Sequence, residues 1–244
     1  MSVKVMSYFR DLSDDCPDLS YSPLLRAARL TLKYAQDHGA IGLTKTGAFK
    51  RVFVHWAAKH FDWPGMSKDQ LLELNKVLNE YDFLPLELLH FVLVKMKLAR
   101  HYKGEFCITK RGAELLKSPA ALFSELIPFF LFDLDHASYS RTQERPVGNW
   151  NVWLNVLNVE ADQGTSAAAL YDVLYGPMPE ESAGWREFGT FRSCVLVPLC
   201  WAGLLAEVAE PRQRLTNRQY FKTPLWRSAL QLDTDNELRP AQLH

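Results

Sequence analysis

Apolar residues recur at helical spacing through most of this chain, and the breaks between those stretches carry short alternating runs of strand character. A helix is predicted from Pro23 to about Asp37, since Ser22-Pro23 is a favourable start and His38-Gly39 a stop. Residues 41–44 read as a short strand. Beyond Gly47, Phe49, Val52, Phe53, Trp56 and Ala57 follow i, i+3, i+4, i+7, i+8 spacing, the pattern of an amphipathic helix ending near Phe61. Residues 67–81 form another helix, with Leu71, Leu72, Leu74 and Leu78 as its apolar set. Pro85 opens a nearly all-apolar helix whose narrow polar stripe is Glu87, His90 and Lys97, joined by Val94.

Residues 86–116 carry the fold. They read as that apolar helix, a strand at 98–102, a Lys103-Gly104 tip, a strand at 105–108 ending in Thr109, and a short helix. A looser copy runs from Val195 to Leu230, with Thr223 in the place of Thr109. The second hairpin is longer: 26 positions separate Val197 from Thr223, against 15 from Val94 to Thr109. Helices are also expected at 118–132, 150–159, 165–174 and 188–201, the last broken near Pro198, with a Gly/Pro-rich loop at 176–184. The fold class expected is mainly α with small β-hairpins (α+β), arranged as tandem winged helix-turn-helix domains. The expected organisation is an N-terminal arm (1–22), a first winged-helix domain with a trailing apolar helix (23–136), a polar linker (137–149), a second winged-helix domain (150–232) and a frayed tail (233–244).

Composition supports two cores, because 48% of the residues are hydrophobic and include 7 Trp, 14 Phe and 9 Tyr. Cys16, Cys107, Cys194 and Cys200 form no CxxC pair, which fits reduced thiols and a cytoplasmic setting. The apolar uncharged stretch 193–206 is too short to cross a bilayer, so no membrane association is expected. Net charge is zero but unevenly spread. Residues 1–117 carry 18 basic against 13 acidic side chains, and residues 118–244 carry 10 against 15. Opposed halves point to different partners, or to halves that face each other.

The run IGLTKTGAFKRVFVHWAAKHFDW (41–63), with ITKRGAELLKSPAALF (108–123), resembles an uncharacterised bacterial winged-helix module. That module is found alone or near segments similar to the plasmid pRiA4b ORF-3 family, with its LTKTG-like turn and TxRG-like end. The resemblance covers about residues 24–130. It implies a winged-helix fold and brings neither catalytic residues nor a ligand.

Charge segregation supplies the candidate chemistry. No acidic residue lies between Asp37 and Asp62, while Lys45, Lys50, Arg51, His55 and Lys59 accumulate there. Arg51, His55 and Lys59 fall opposite the apolar stripe and should face solvent. The first hairpin and its flanks add Arg100, Lys103, Lys110 and Arg111, and the second adds Arg212, Arg214 and Arg218. Such basic wings suit phosphate contact, which gives sequence-independent affinity. The apolar third helices offer few side chains able to read bases. Asp133, Asp135 and His136 fall short of a cation-binding loop, and no phosphate loop, nucleophile elbow or dinucleotide fingerprint is present. The function expected is therefore a non-catalytic, regulator-like protein that binds duplex DNA without a cofactor. The alternative is a tandem winged-helix scaffold for a protein partner or a homodimer, using its apolar surface and no DNA.

Overall fold

The computed structural model describes residues 8–178, 182–210 and 212–237. Residues 1–7 of the expected arm, 179–181 of the expected loop and 238–244 of the expected tail lie outside the described residues. The protein is mostly helical with two small antiparallel sheets, an α+β composition. It divides into two compact units, Ser13–Leu126 and Met1–Leu12 with Ile127–His244.

In the first unit, α1 (Pro23–Asp37) starts where Ser22 Oγ accepts the Leu25 N–H, and Pro23 fills a first-turn position at which no N–H is needed. After β1 (Ile41–Gly42), α2 (Arg51–His60) buries Phe53, Val54, Ala57 and Ala58. Val52, which its spacing assigns to the apolar set, is 77% exposed. The expected 67–81 helix is shorter: α3 (Lys68–Leu74) has a capping box of Ser67 and Gln70. It stops because Asn75 turns extended and bonds the Leu71 carbonyl through both its backbone N–H and its side-chain amide. A separate 3-10 turn, Glu80–Asp82, follows.

Next come α4 (Leu84–Lys95), β2 (Ala99–Tyr102), β3 (Glu105–Ile108), α5 (Lys110–Leu116) and α6 (Pro119–Pro128), which runs on into a π-helical turn, Phe129–Asp133. The hairpin closes through Lys103 (φ 50°) and Gly104 (φ 77°), both left-handed, as a two-residue turn matched to strand twist requires. Strand order is β1-β3-β2, with Ile41 opposite Phe106 and Ala99 opposite Ile108.

The second unit repeats the order. It holds α7 (Trp150–Glu160), β4 (Thr165–Ser166), α8 (Ala167–Tyr175), α9 (Ser182–Phe191), a π-helical turn (Arg192–Leu196), α10 (Val197–Ala202), β5 (Leu205–Val208), β6 (Gln219–Lys222) and α11 (Pro224–Ala229). Its sheet runs β4-β6-β5, with Thr165 opposite Tyr220 and Leu205 opposite Lys222. Thr165 and Ser166, expected to begin a helix, are strand residues, and Ser166 Oγ caps α8. The helix expected at 188–201 is three segments that start earlier.

The two hairpins leave their helices by the same corner. Lys97 (φ 60°) and Gly203 (φ 82°) turn left-handed, and Leu98 and Leu204 donate their N–H to Leu93 and Leu199 at 2.9 Å each. The Thr109 hydroxyl donates to the Lys97 carbonyl at 2.8 Å, and that of Thr223 to the Gly203 carbonyl at 2.6 Å. Leu204 therefore stands for Leu98, and Cys200 rather than Val197 stands for Val94. The run 195–205 is apolar at nearly every position and carries no register of its own. The connections differ, since residues 103–104 close the first hairpin and residues 209–218 the second.

Segments expected to be loose are tied down. Phe9 bridges Leu230, Arg10 N–H donates to the Ala229 carbonyl at 2.8 Å, and Gln231 N–H donates to Tyr8. Asp233–Glu237 forms a 3-10 turn in which Thr234 and Asp235 take the side-chain amide of buried Asn158. Residues 137–149, expected as a linker, are held inside the second unit: Thr142 bonds Thr190, Glu144 pairs with Arg186, and Arg145 pairs with Asp135. Polar sequence without apolar periodicity is here the mark of a side-chain-anchored strap.

Gly112 shows how close the first corner is. A Cβ there would lie 2.1 Å from the Leu98 carbonyl oxygen, which is backbone and cannot swing aside. Gly112→Ala should therefore destabilise the protein by about 1–3 kcal/mol, read as a lower urea midpoint. An unchanged midpoint would mean that α5 does not need this approach.

Candidate nucleic-acid interface

The turn between β1 and α2 is built from Thr44, whose N–H donates to the Ala48 carbonyl (2.7 Å) and whose hydroxyl accepts the Ala48 N–H (3.1 Å). This turn displays Lys45 to solvent. Lys50 caps α2, donates its N–H to the Gly42 carbonyl at 3.0 Å, and lays its stem over Gly42, where a Cβ would meet Lys50 Cδ at 2.9 Å. The Leu43 N–H donates to the Gly104 carbonyl at 2.9 Å, so the β1–α2 turn abuts the hairpin tip. On that tip Arg100 and Lys103 each stand 5.3 Å from the centre of the Tyr102 ring, which is 50% exposed. The structure thus brings Lys45, Lys50, Arg100 and Lys103 into one neighbourhood. Among the described residues none of the four is ion-paired with a carboxylate, although Glu105 lies opposite Tyr102.

The other expected residues are spread out or already engaged. Arg51 donates through Nε to Asn79 at 2.9 Å. His55 is half-buried, and Lys59 and Lys110 are exposed on α2 and α5. Arg111 is consumed structurally: its guanidinium donates to the Met96 carbonyl at 2.7 Å and pairs with Glu125. In the second hairpin Arg212 and Arg214 are exposed, but Arg218 is half-buried and pairs with Glu207. Glu207 also takes Arg192 at 2.8 Å and the Tyr220 hydroxyl. Burial pushes that carboxyl up, but the Tyr220 hydrogen bond and the two arginines outweigh it and hold it low. Lys222 forms a buried pair with Asp162 at 2.7 Å. Asp135 holds the strap through Arg145, and His136, lowered by burial to about 4, donates to the Phe130 carbonyl.

Beneath the first-unit cluster lies a polar relay that the sequence did not announce. Glu80 and His90 are only 3% and 7% exposed. Glu80 accepts the Phe49 N–H, at the entrance to α2, and the His90 Nδ1–H at 2.6 Å. A carboxylate only accepts, so His90 donates from Nδ1, and a second hydrogen bond of 2.7 Å joins His90 Nε2 to His101 Nε2. Phe49 stacks on His90 with ring centres 4.0 Å apart. One carboxylate thereby couples the start of α2, the core face of α4 and strand β2. The visible trace in the sequence was His90 on the narrow polar stripe of an otherwise apolar helix.

The correction for α4 is that His90 faces inward and Lys97 lies beyond the helix. Its outward residues are Leu84, Glu87, Phe91 and Lys95, with Leu84 38% and Phe91 43% exposed. Burial, then the charge of Glu80, raises the Glu87 carboxyl above its usual range. This stripe lacks the amide and guanidinium groups that read base edges.

The chain matches the family model described as the Y4jL N-terminal domain over residues 20–121, and that of the y4jL C-terminal domain over residues 140–224. The chain belongs to the Y4jL family. It is 40% identical over 174 residues to the uncharacterized protein y4jL of Sinorhizobium fredii (strain NBRC 101917 / NGR234), covering 70% of this chain and 77% of that relative. The kinship supported is thus to Y4jL, and the pRiA4b ORF-3 resemblance gains no support. No solved structure matches. The N-terminal match spans the Lys45/Lys50/Arg100/Lys103 cluster and the Glu80 relay, so both lie within the family's own N-terminal domain.

Two outcomes follow from the relay. Glu80→Ala leaves the Phe49 N–H and His90 without their acceptor and should cost about 3–5 kcal/mol in urea unfolding; a loss below about 1 kcal/mol would mean that the relay is incidental. His101 is held below the usual imidazole value by burial, then by His90, against the pull of Glu80. The unfolded chain then binds the proton more readily, so this stabilisation is whole above about pH 6.5 and drains away as pH falls below it. His101→Gln should flatten the pH dependence of stability in that window, and an unaltered slope would remove His101 from the account.

Proposed function

We propose that the chain is a non-catalytic, regulator-like nucleic-acid-binding protein of the cytoplasm, made of two winged helix-turn-helix units. In this reading the first unit makes the contacts. The carrying observation is the convergence of Lys45, Lys50, Arg100 and Lys103 on the hairpin tip and the β1–α2 turn, with no described carboxylate paired to them. The ligand is duplex DNA, held by its phosphates. Base readout by α4 is a minor part, because that helix presents Leu84, Glu87 and Phe91 outward. The second hairpin contributes less, because Arg218 and Lys222 are spent on Glu207 and Asp162.

A second reading has its own observation. The apolar outward positions of α4 suit a protein partner or a second copy of the chain, making the fold a scaffold without nucleic acid.

Anisotropy titration of a labelled duplex at two salt concentrations separates the readings. Under the first, affinity falls steeply with salt. Arg100→Glu with Lys103→Glu lowers it at least about tenfold and makes the salt slope shallower by about 1 for each phosphate no longer neutralised. Arg111→Glu, by comparison, should lower stability more than affinity. Binding that is absent at about 150 mM salt, or untouched by the double reversal, sinks the nucleic-acid reading.

A further inference from the structure

The strap in the second unit is anchored more heavily than a connection needs. Besides the bonds made by Thr142, Glu144 and Arg145, the Tyr175 hydroxyl donates to the Val147 carbonyl at 2.9 Å and receives Trp153 Nε1–H at 3.0 Å. Gly148 (φ 122°) leaves only enough room for the Trp153 indole, since a Cβ there would lie 2.8 Å from Nε1. Despite these ties the strap does not close onto the helices. A cleft of about 300 Å³ remains between it and α8 and α9, lined by the charged Glu144, Arg145 and Glu187 and by Val147, Tyr171 and Tyr175. The strap, tied at several points yet standing off its helices, leaves a concavity open to solvent on one side. Its wall helix α9 passes directly into the Arg192–Leu196 π-helical turn, an irregularity found often at functional sites.

The charges around this cleft do not balance. Arg145 is matched by Asp135 at 2.8 Å and Glu144 by Arg186 at 2.6 Å. Glu187 has no cationic partner among the described residues. It accepts one hydrogen bond, from the Tyr171 hydroxyl at 2.9 Å. Burial, then that carboxylate, pushes the Tyr171 hydroxyl up to about 12, so it stays a donor and orients the carboxylate through all ordinary pH. The Tyr171 and Tyr175 rings lie 5.0 Å apart beside it.

We propose that this cleft binds a small organic cation, with its ammonium on Glu187 and its apolar body against Tyr175 and Val147, while buried Tyr171 orients the carboxylate. An aromatic ring next to an uncompensated carboxylate recognises an amine through both attraction to the ring face and a charge-assisted hydrogen bond. An anion would meet the unbalanced negative charge, and a neutral ligand would gain only the apolar contact. The proposal is independent of the nucleic-acid reading.

The test is calorimetric titration of the full chain with phenethylamine, and with phenethyl alcohol as its neutral counterpart. The amine should bind at least about tenfold more tightly, a preference of about 1.4 kcal/mol. Glu187→Gln, at an exposed position, should fold normally and abolish the preference, while Tyr171→Phe should weaken the amine several-fold and leave the alcohol unchanged. Equal binding of the two probes, a preference that survives Glu187→Gln, or no saturable binding of the amine up to about 10 mM would each overturn it.

Discussion

Where each apolar helix ends and its hairpin begins, two backbone carbonyls have lost their helical partners, in a buried place in the second unit and a partly exposed one in the first. In the first unit they belong to Lys97 and Leu98, in the second to Gly203 and Leu204. A threonine at the far end of the hairpin closes both, its hydroxyl on one carbonyl and its N–H on the other. Buried backbone acceptors left unpaired cost more than a hydrogen bond normally contributes, so this corner dictates where the second strand must finish. Strand register, the position of the hairpin tip and the start of the following helix all follow from it. The corner therefore recurs with little shared sequence around it.

The repeat shares its backbone but not its buried polar chemistry. The first unit places Glu80 and His90 at its centre and leaves the hairpin cations outside, with no carboxylate paired to them among the described residues. The second unit draws Arg192, Arg218 and Tyr220 onto Glu207 and Lys222 onto Asp162, and spends Trp226 on Asn158. Cations held in this way fix the hairpin, and their displacement onto a ligand would strand buried carboxylates. The same architecture thus leaves its hairpin cations unpaired in one unit, and in the other pairs Arg192, Arg218 and Lys222 while Arg212 and Arg214 stay exposed. Beside the cleft of that second unit, Glu187 has no cationic partner among the described residues.

Trp226 and Gly112 occupy the same place in the two repeats and illustrate how one backbone takes different residues. Gly112 admits the Leu98 carbonyl to within 2.1 Å of where a Cβ would stand. Trp226 is 1% exposed and donates its indole N–H to Asn158 at 2.9 Å. One helix is set by close approach, the other by a large side chain with a polar tip that needs a buried acceptor.

Much of the local structure was legible in the chain because it rests on neighbours in sequence. Ser22-Pro23, Pro85 and Lys103-Gly104 mark two helix starts and a two-residue turn, and helical or alternating spacing marks the elements between them. Local pattern could not settle the end of α3, where Asn75 competes for a carbonyl, nor the register of 195–205, where nearly every position is apolar. It also could not tell a linker from a strap, since the partners of Thr142, Glu144 and Arg145 lie on other elements. The candidate sites divide on the same line. The excess of lysine and arginine is a property of the sequence, but which of them remain unpaired depends on Glu125, Glu207 and Asp162, and those carboxylates come within reach only once the chain has folded. The tertiary structure alone decided that His90 turns inward to Glu80, because a side chain's facing is set by what packs against its helix, and spacing along that helix is blind to it.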